Sequence, residues 1–107
     1  MFKDLKRGKF ETIMDDIGLV KNEIFHTIDQ LKNWAKDEVK DTPLLLGVAN
    51  SYIKWEPLGV ICIYSAWNYP ILLSLAPLVG VIASGNAAVL KPSELAPNVS
   101  RCLTRFI

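Results

Sequence analysis

The sequence predicts an α/β fold, in which a long N-terminal amphipathic helix precedes one strand–helix–strand–helix unit. Three observations carry that expectation. Phe10, Ile13, Met14, Ile17, Val20, Ile24, Ile28, Leu31 and Trp34 recur at steps of three or four, the spacing of one helical face. Two continuous apolar runs, 59–64 and 87–90, have the pattern of strands covered on both faces, as in parallel sheets. Between them lies an apolar segment bounded by Pro70 and Gly85, so the two strands are expected to lie parallel, joined by a right-handed helical crossover.

Each element has a local cause. Glu and Lys fill the other face of the first helix, expected from about 9 to 37. Gly18 weakens that helix by about 1 kcal/mol relative to Ala without breaking it. Thr42-Pro43 closes the helical segment 1–42, because the residue before proline avoids the helical basin. Residues 43–56 read as an extended arm. Ser51, Ile53 and Trp55 alternate there with Tyr52, Lys54 and Glu56, as the two faces of a strand do. Pro57 interrupts the arm, and 57–107 hold the βαβα unit. Asn68 and Pro70 suit the cap and first turn of the covering helix, Pro77 is a kink site within it, and Ser84-Gly85-Asn86 stops it. A last helix starts near Pro97, with Val99, Cys102, Leu103 and Phe106 on one face.

Composition narrows the function. A chain of 107 residues holds one small domain at most. Twelve Lys and Arg against eleven Asp and Glu leave a net charge of +1, which provides no basic stripe for nucleic acid. An apolar share of 50% excludes a mainly disordered chain. Two cysteines make no disulfide framework, and the start MFKDLKRGKFE has no apolar signal core, so a cytoplasmic location is expected. No charged side chain occurs from 57 to 90. A short chain buries a small share of its surface. That stretch therefore crosses a membrane, forms the centre of a larger domain, or packs on a partner. Residues 71–90 are long enough to span a bilayer, but Pro77, Gly80 and the 84–86 turn argue against it, since lipid satisfies no freed backbone group.

A βαβα unit binds ligands at the carboxyl ends of its strands. Two polar clusters are expected there: Ser65-Ala66-Trp67-Asn68 and Lys91-Pro92-Ser93-Glu94. An acid such as Glu94 after the second strand suits ribose hydroxyls, with Lys91 donating to the same hydroxyls or meeting a phosphate. The same residues also suit a solvated ion pair or a helix start. No G-x-G-x-x-G follows the first strand, so a standard pyrophosphate clamp is not expected. Asn68 has two readings: a helix cap worth about 1 kcal/mol, or an amide donor to a developing oxyanion, worth about 2.7–4 kcal/mol in a dry site. Cys62 and Cys102 read as small buried hydrophobes with no basic neighbour placed to lower their pKa, hence not nucleophiles. His26 is the one histidine and no metal site is expected.

Taken together, the motifs Glu56-Pro57-Leu58-Gly59-Val60, Ala66-Trp67-Asn68-Tyr69-Pro70, Ala83-Ser84-Gly85-Asn86-Ala87 and Lys91-Pro92-Ser93-Glu94-Leu95 resemble the aldehyde dehydrogenase superfamily. Their wording is similar to its class 3 branch, which includes fatty aldehyde dehydrogenases, as are Asp4-Leu5, Phe10-Glu11 and 20–24 upstream. The resemblance implies oxidation of aldehydes to carboxylic acids with NAD or NADP. In that family a Cys thiolate attacks the aldehyde and a Glu base helps water release the acid. It further implies that Asn68 stabilises the oxyanion, that Lys91 and Glu94 hold the adenosine ribose, and that Ser65, Ala66 and Trp67 lie against the cofactor, largely through backbone. It implies the first half of a Rossmann-like parallel sheet in an incomplete domain, a homodimer in the full-length family, and membrane attachment only through a tail outside this sequence. The motifs of the nucleophile and the base have no counterpart here. The chain is thus expected to be a piece of such an enzyme.

Overall fold

The structure, a computed structural model, describes residues 1–107. A one-turn helix α1 (Phe2–Leu5) is followed by α2 (Lys9–Glu11), a π-helical stretch (Thr12–Gly18) and α3 (Leu19–Trp34), the last three forming one rod. The π turn gives Gly18 a role that its helix propensity hides. A Cβ at Gly18 would lie 2.9 Å from the carbonyl oxygen of Ile13. Only glycine lets that carbonyl come so close. The rod stops at Trp34, three residues before the expected end, and Glu38–Lys40 forms a strand, β1, inside the segment read as helical. β1 pairs antiparallel with β2 (Ser51–Ile53), with Glu38 opposite Ile53 and Lys40 opposite Ser51. A 3-10 turn at Leu44–Leu46 lies between them. The alternation seen from 51 to 56 thus becomes a strand only over its first three residues, where β1 supplies hydrogen-bonding partners.

The second half is β3 (Val60–Tyr64), α4 (Leu72–Ala83), β4 (Ala87–Lys91) and α5 (Pro97–Phe106). β3 and β4 are parallel, in register from Val60 opposite Ala87 to Tyr64 opposite Lys91. α4 ends as its sequence predicts. Asn86 N–H donates to the Val81 carbonyl and Gly85 N–H to that of Ile82, each at 3.0 Å, with Gly85 at φ 75°. This is the paired hydrogen bonding of a left-handed helix stop. The Asn86 side chain then accepts from Gly59 N–H at 2.7 Å, fastening the starts of both strands to each other. Pro77 sits inside α4 without ending it.

Along β3 and β4 accessibility alternates. Ile61, Ile63, Ala88 and Leu90 face the helices, while Val60, Tyr64 and Val89 are open to solvent. The runs that read as covered on both faces are covered on one. Cys62 belongs to the open face, and Cys102 is also exposed, so neither is the buried hydrophobe expected. Ala96, Val99 and Leu103 form the core, with Met1, Ile71 and Leu75 against them. Ala96, at the α5 cap position, offers no capping side chain. Asp4 supplies it from the far end of the chain, accepting from Val99 N–H at 2.9 Å and from the Asn98 amide at 2.5 Å. The Cα radius of gyration is 19.0 Å, against about 13 Å for a compact chain of this size. Only 10 of 107 residues are buried, so most apolar side chains still face solvent. No helix is long and apolar enough to cross a membrane.

Candidate functional site

Parallel pairing brings the two polar clusters to one edge. Beyond the Tyr64–Lys91 pair, Ser65 N–H donates to the Lys91 carbonyl at 3.1 Å, so the β3–α4 loop starts beside the end of β4. The Lys91 ammonium meets the Glu94 carboxylate at 2.5 Å and stands 5.8 Å from the centre of the Tyr64 ring. The hydrogen bond from Lys91, then that of Glu94's own backbone N–H, then the Lys91 charge hold the Glu94 carboxyl below its ordinary pKa. Both side chains are exposed, so the pair contributes little to stability. Its chemical effect is to keep Glu94 an acceptor-only carboxylate, while the ammonium has donors left over. Ser93 is buried and its hydroxyl accepts from Leu95 N–H at 3.3 Å, shaping the turn. Ser65 Oγ is the one buried side-chain oxygen or nitrogen without a hydrogen-bond partner. Ala66 and Trp67, next along the loop, are exposed.

Asn68 lies three residues beyond Ser65. It does not cap α4, which starts at Leu72 with no capping side chain at Ile71. The acceptor at that helix start is Asp16, whose Oδ1 receives Leu72 N–H at 3.1 Å. Asp16 is fully buried, and its other oxygen takes a 2.7 Å ion pair from Arg7. Arg7 in turn donates to the Asn68 backbone carbonyl at 2.8 Å and lies 4.4 Å from the centre of the Tyr69 ring. The Asn68 side-chain amide takes no part in these bonds.

Arg7, Asp16 and Tyr64 were not among the expected site residues. For Asp16 a signal existed. It sits four residues before Val20 and eight before Ile24, so an acid occupies the apolar face of the helix. For Arg7 and Tyr64 the sequence carries no comparable mark. His26 stacks edge-on against Trp34 at 5.6 Å, and no three His, Cys, Asp or Glu side chains converge.

A strand–helix–strand unit with its polar residues gathered at the carboxyl ends of parallel strands is the architecture of an α/β nucleotide-site half. The family model of the aldehyde dehydrogenase family matches residues 10–107, and the chain belongs to that family. It is 45% identical to the 4,4'-diaponeurosporen-aldehyde dehydrogenase of Staphylococcus aureus over 100% of this chain and 23% of that protein. It is 46% identical to aldehyde dehydrogenase family 3 member H1 of Arabidopsis thaliana, over 97% of this chain and 22% of that one. A solved structure of Staphylococcus aureus AldH in a substrate-bound state superimposes with a TM-score of 0.93 at 45% identity, covering 99% of this chain and 23% of that one. The fold is therefore a long helix with an incomplete Rossmann-like sheet. The chain spans less than a quarter of the length of these relatives.

Proposed function

We propose that this chain is the oxyanion and ribose side of an enzyme that oxidises aldehydes to carboxylic acids with NAD or NADP. The observation that carries the reading is the β3–β4 register, with Ser65, Lys91 and Glu94 on one edge and Asn68 on the same loop as Ser65. In this reading the Asn68 amide donates to the oxygen that gains charge, which is worth about 2.7–4 kcal/mol. Glu94 accepts from the adenosine ribose hydroxyls, Lys91 donates to them, and the 65–67 backbone borders the cofactor. The residues fit a dinucleotide: an ionised carboxylate, an ammonium with donors to spare and an unpartnered hydroxyl share the rim. When bound, the nicotinamide supplies the hydride acceptor. Segments 1–42, 43–56 and 57–107 act as helical support, extended arm and cofactor-side half, in an enzyme that is cytoplasmic and homodimeric.

Neither cysteine belongs to this rim, so the chain alone is inactive. Purified chain given an aldehyde and NAD is expected to produce no NADH, and saturable NADH formation overturns that statement. Saturation-transfer NMR with NAD or NADP tests the rim. Contact with adenosine-ribose protons is expected in the parent chain and lost in Lys91→Ala and Glu94→Gln. An unchanged signal in both variants sinks the assignment. A second reading, a non-catalytic form that docks onto full-length subunits, is favoured by the open sheet face and the exposed arm. Co-purification with a full-length homologue supports it, and failure to associate dismisses it.

A further inference from the structure

We propose that Arg7 and Asp16 are positioning residues that clamp the β3–α4 loop and so set the direction of Asn68. The proposal rests on the reading of Asn68 as the oxyanion donor. Its basis is a set of contacts from the N-terminal segment to two residues of that loop and to the first residue of α4. Arg7 holds the Asn68 carbonyl at 2.8 Å and covers the Tyr69 ring at 4.4 Å. Asp16 receives Leu72 N–H at 3.1 Å and is held by Arg7 at 2.7 Å. The peptide that links Asn68 to Tyr69 is thereby fixed at its oxygen, and the helix that follows is fixed at its first free N–H. With Ser65 N–H held on the Lys91 carbonyl before Asn68 and these two points after it, the Asn68 Cα–Cβ direction has little freedom, while its amide stays out of the network. A planar fork is required for this. One guanidinium nitrogen serves the carboxylate and another the carbonyl, a division that a lysine ammonium cannot reproduce from one point.

Sequence features that otherwise lack a function converge on the same clamp. The π turn at Thr12–Gly18 contains Asp16 and turns it inward, and Gly18 lets that turn form. Lys6 takes the left-handed conformation at φ 55°, unfavourable for a non-glycine residue, directly before Arg7. Both local departures from regular helix border one ion pair. Asp16 is the one buried acid, and a buried carboxylate without its partner is strongly unfavourable. The pair is therefore either complete, with the loop held, or disrupted, with the loop released.

The test is performed on the full 107-residue chain, labelled with ¹⁵N. In Arg7→Met, Leu72 N–H is expected to exchange with solvent at least about tenfold faster than in the parent, the loss of one charged hydrogen bond, while Val89 and Leu103 amides keep their rates. Arg7→Lys separates positioning from mere stability. Asp16 keeps a cation and Leu72 keeps its protection, yet the Tyr69 ¹⁵N shift, which reports the hydrogen bond on the Asn68 carbonyl, and the Asn68 side-chain amide signals move. Asp16→Asn keeps an acceptor for Leu72 and is expected to release Arg7 alone. The proposal is overturned if Leu72 is as open in the parent as in the variants, if all elements lose protection equally, or if Arg7→Lys leaves Tyr69 and Asn68 at their parent shifts. These signals read loop geometry without turnover. Failure of the oxyanion reading itself would show separately, as unchanged turnover when the asparagine matching Asn68 is replaced by Ala in a full-length homologue.

Discussion

The two strand pairs of this molecule are held in opposite ways. β3 and β4 are joined through a covering helix, fastened at their starts by Asn86, and the loop after β3 is held by the Arg7–Asp16 pair, whose carboxylate is fully buried. β1 and β2 are three residues each, every residue of β1 is exposed, and the pair leans on local contacts. Thr42 Oγ1 accepts Ser51 N–H and bonds its hydroxyl, both at 3.0 Å, and Lys40 meets Glu38 on the surface. Between them Leu44, Leu45 and Val48 stand almost fully in solvent. Placement to a fraction of an ångström needs buried polar anchors from distant parts of the chain. A site can be built on the first pair, whereas the second has no such anchors.

Substitutions should separate the two regions by their size of effect. Asp16→Ala is the most disruptive. It strands the Arg7 charge and the Leu72 N–H together, at a cost of about 3–5 kcal/mol. The loss falls at the start of α4, so far-UV circular dichroism should show part of the helical signal lost. A variant with the helical signal of the parent breaks the comparison. Gly18→Ala comes next. Ala is the better helix former by about 1 kcal/mol, yet here its methyl group meets the Ile13 carbonyl, and about 1–3 kcal/mol of overpacking should win. Urea titration decides the sign, and a stabilised variant would mean that the π turn anchors nothing.

Acid should act on the first region through Asp4. Its burial raises its pKa. The Asn98 side chain, the Val99 and Asn98 backbone amides and the N-terminal charge outweigh that and bring it below the ordinary value of 3.8. A carboxyl lowered on folding stabilises above its unfolded pKa and loses that contribution as pH falls through the folded one. Val99 amide exchange should therefore accelerate below about pH 3.8, and Asp4→Asn should remove the acid limb. The smallest effect belongs to the arm. Lys40→Ala breaks an exposed pair and should change stability by less than about 0.5 kcal/mol, measured by the same urea titration. A larger loss would mean that the arm has anchors of its own.

Local sequence was sufficient wherever one segment decides its own shape. The apolar period of 10–34 made a helix, Ser84-Gly85-Asn86 stopped α4, and the two apolar runs became parallel strands whose ends gather Ser65, Lys91 and Glu94. The rod's π turn, the β1 strand inside the helical segment and the single covered face of the sheet were not readable in that way. Each depends on what another segment brings: the Ile13 carbonyl over Gly18, β2 beside β1, α4 on one side of β3 and β4.

The site divides along the same line. Asn68, Lys91 and Glu94 stand out in sequence because their residue types follow strand ends, and strand direction alone carries Lys91 and Glu94 to one edge with Ser65. Asp16 is marked in sequence only as an acid on an apolar helix face, and Arg7 carries no mark at all. Their importance arises from contacts 56 and 61 residues away in the chain, at Leu72 and Asn68. Periodicity and turn chemistry are properties of neighbours, so the sequence determined helices, stops and strand order by itself. A buried ion pair depends on which distant backbone groups need a partner, and only the tertiary structure decided that.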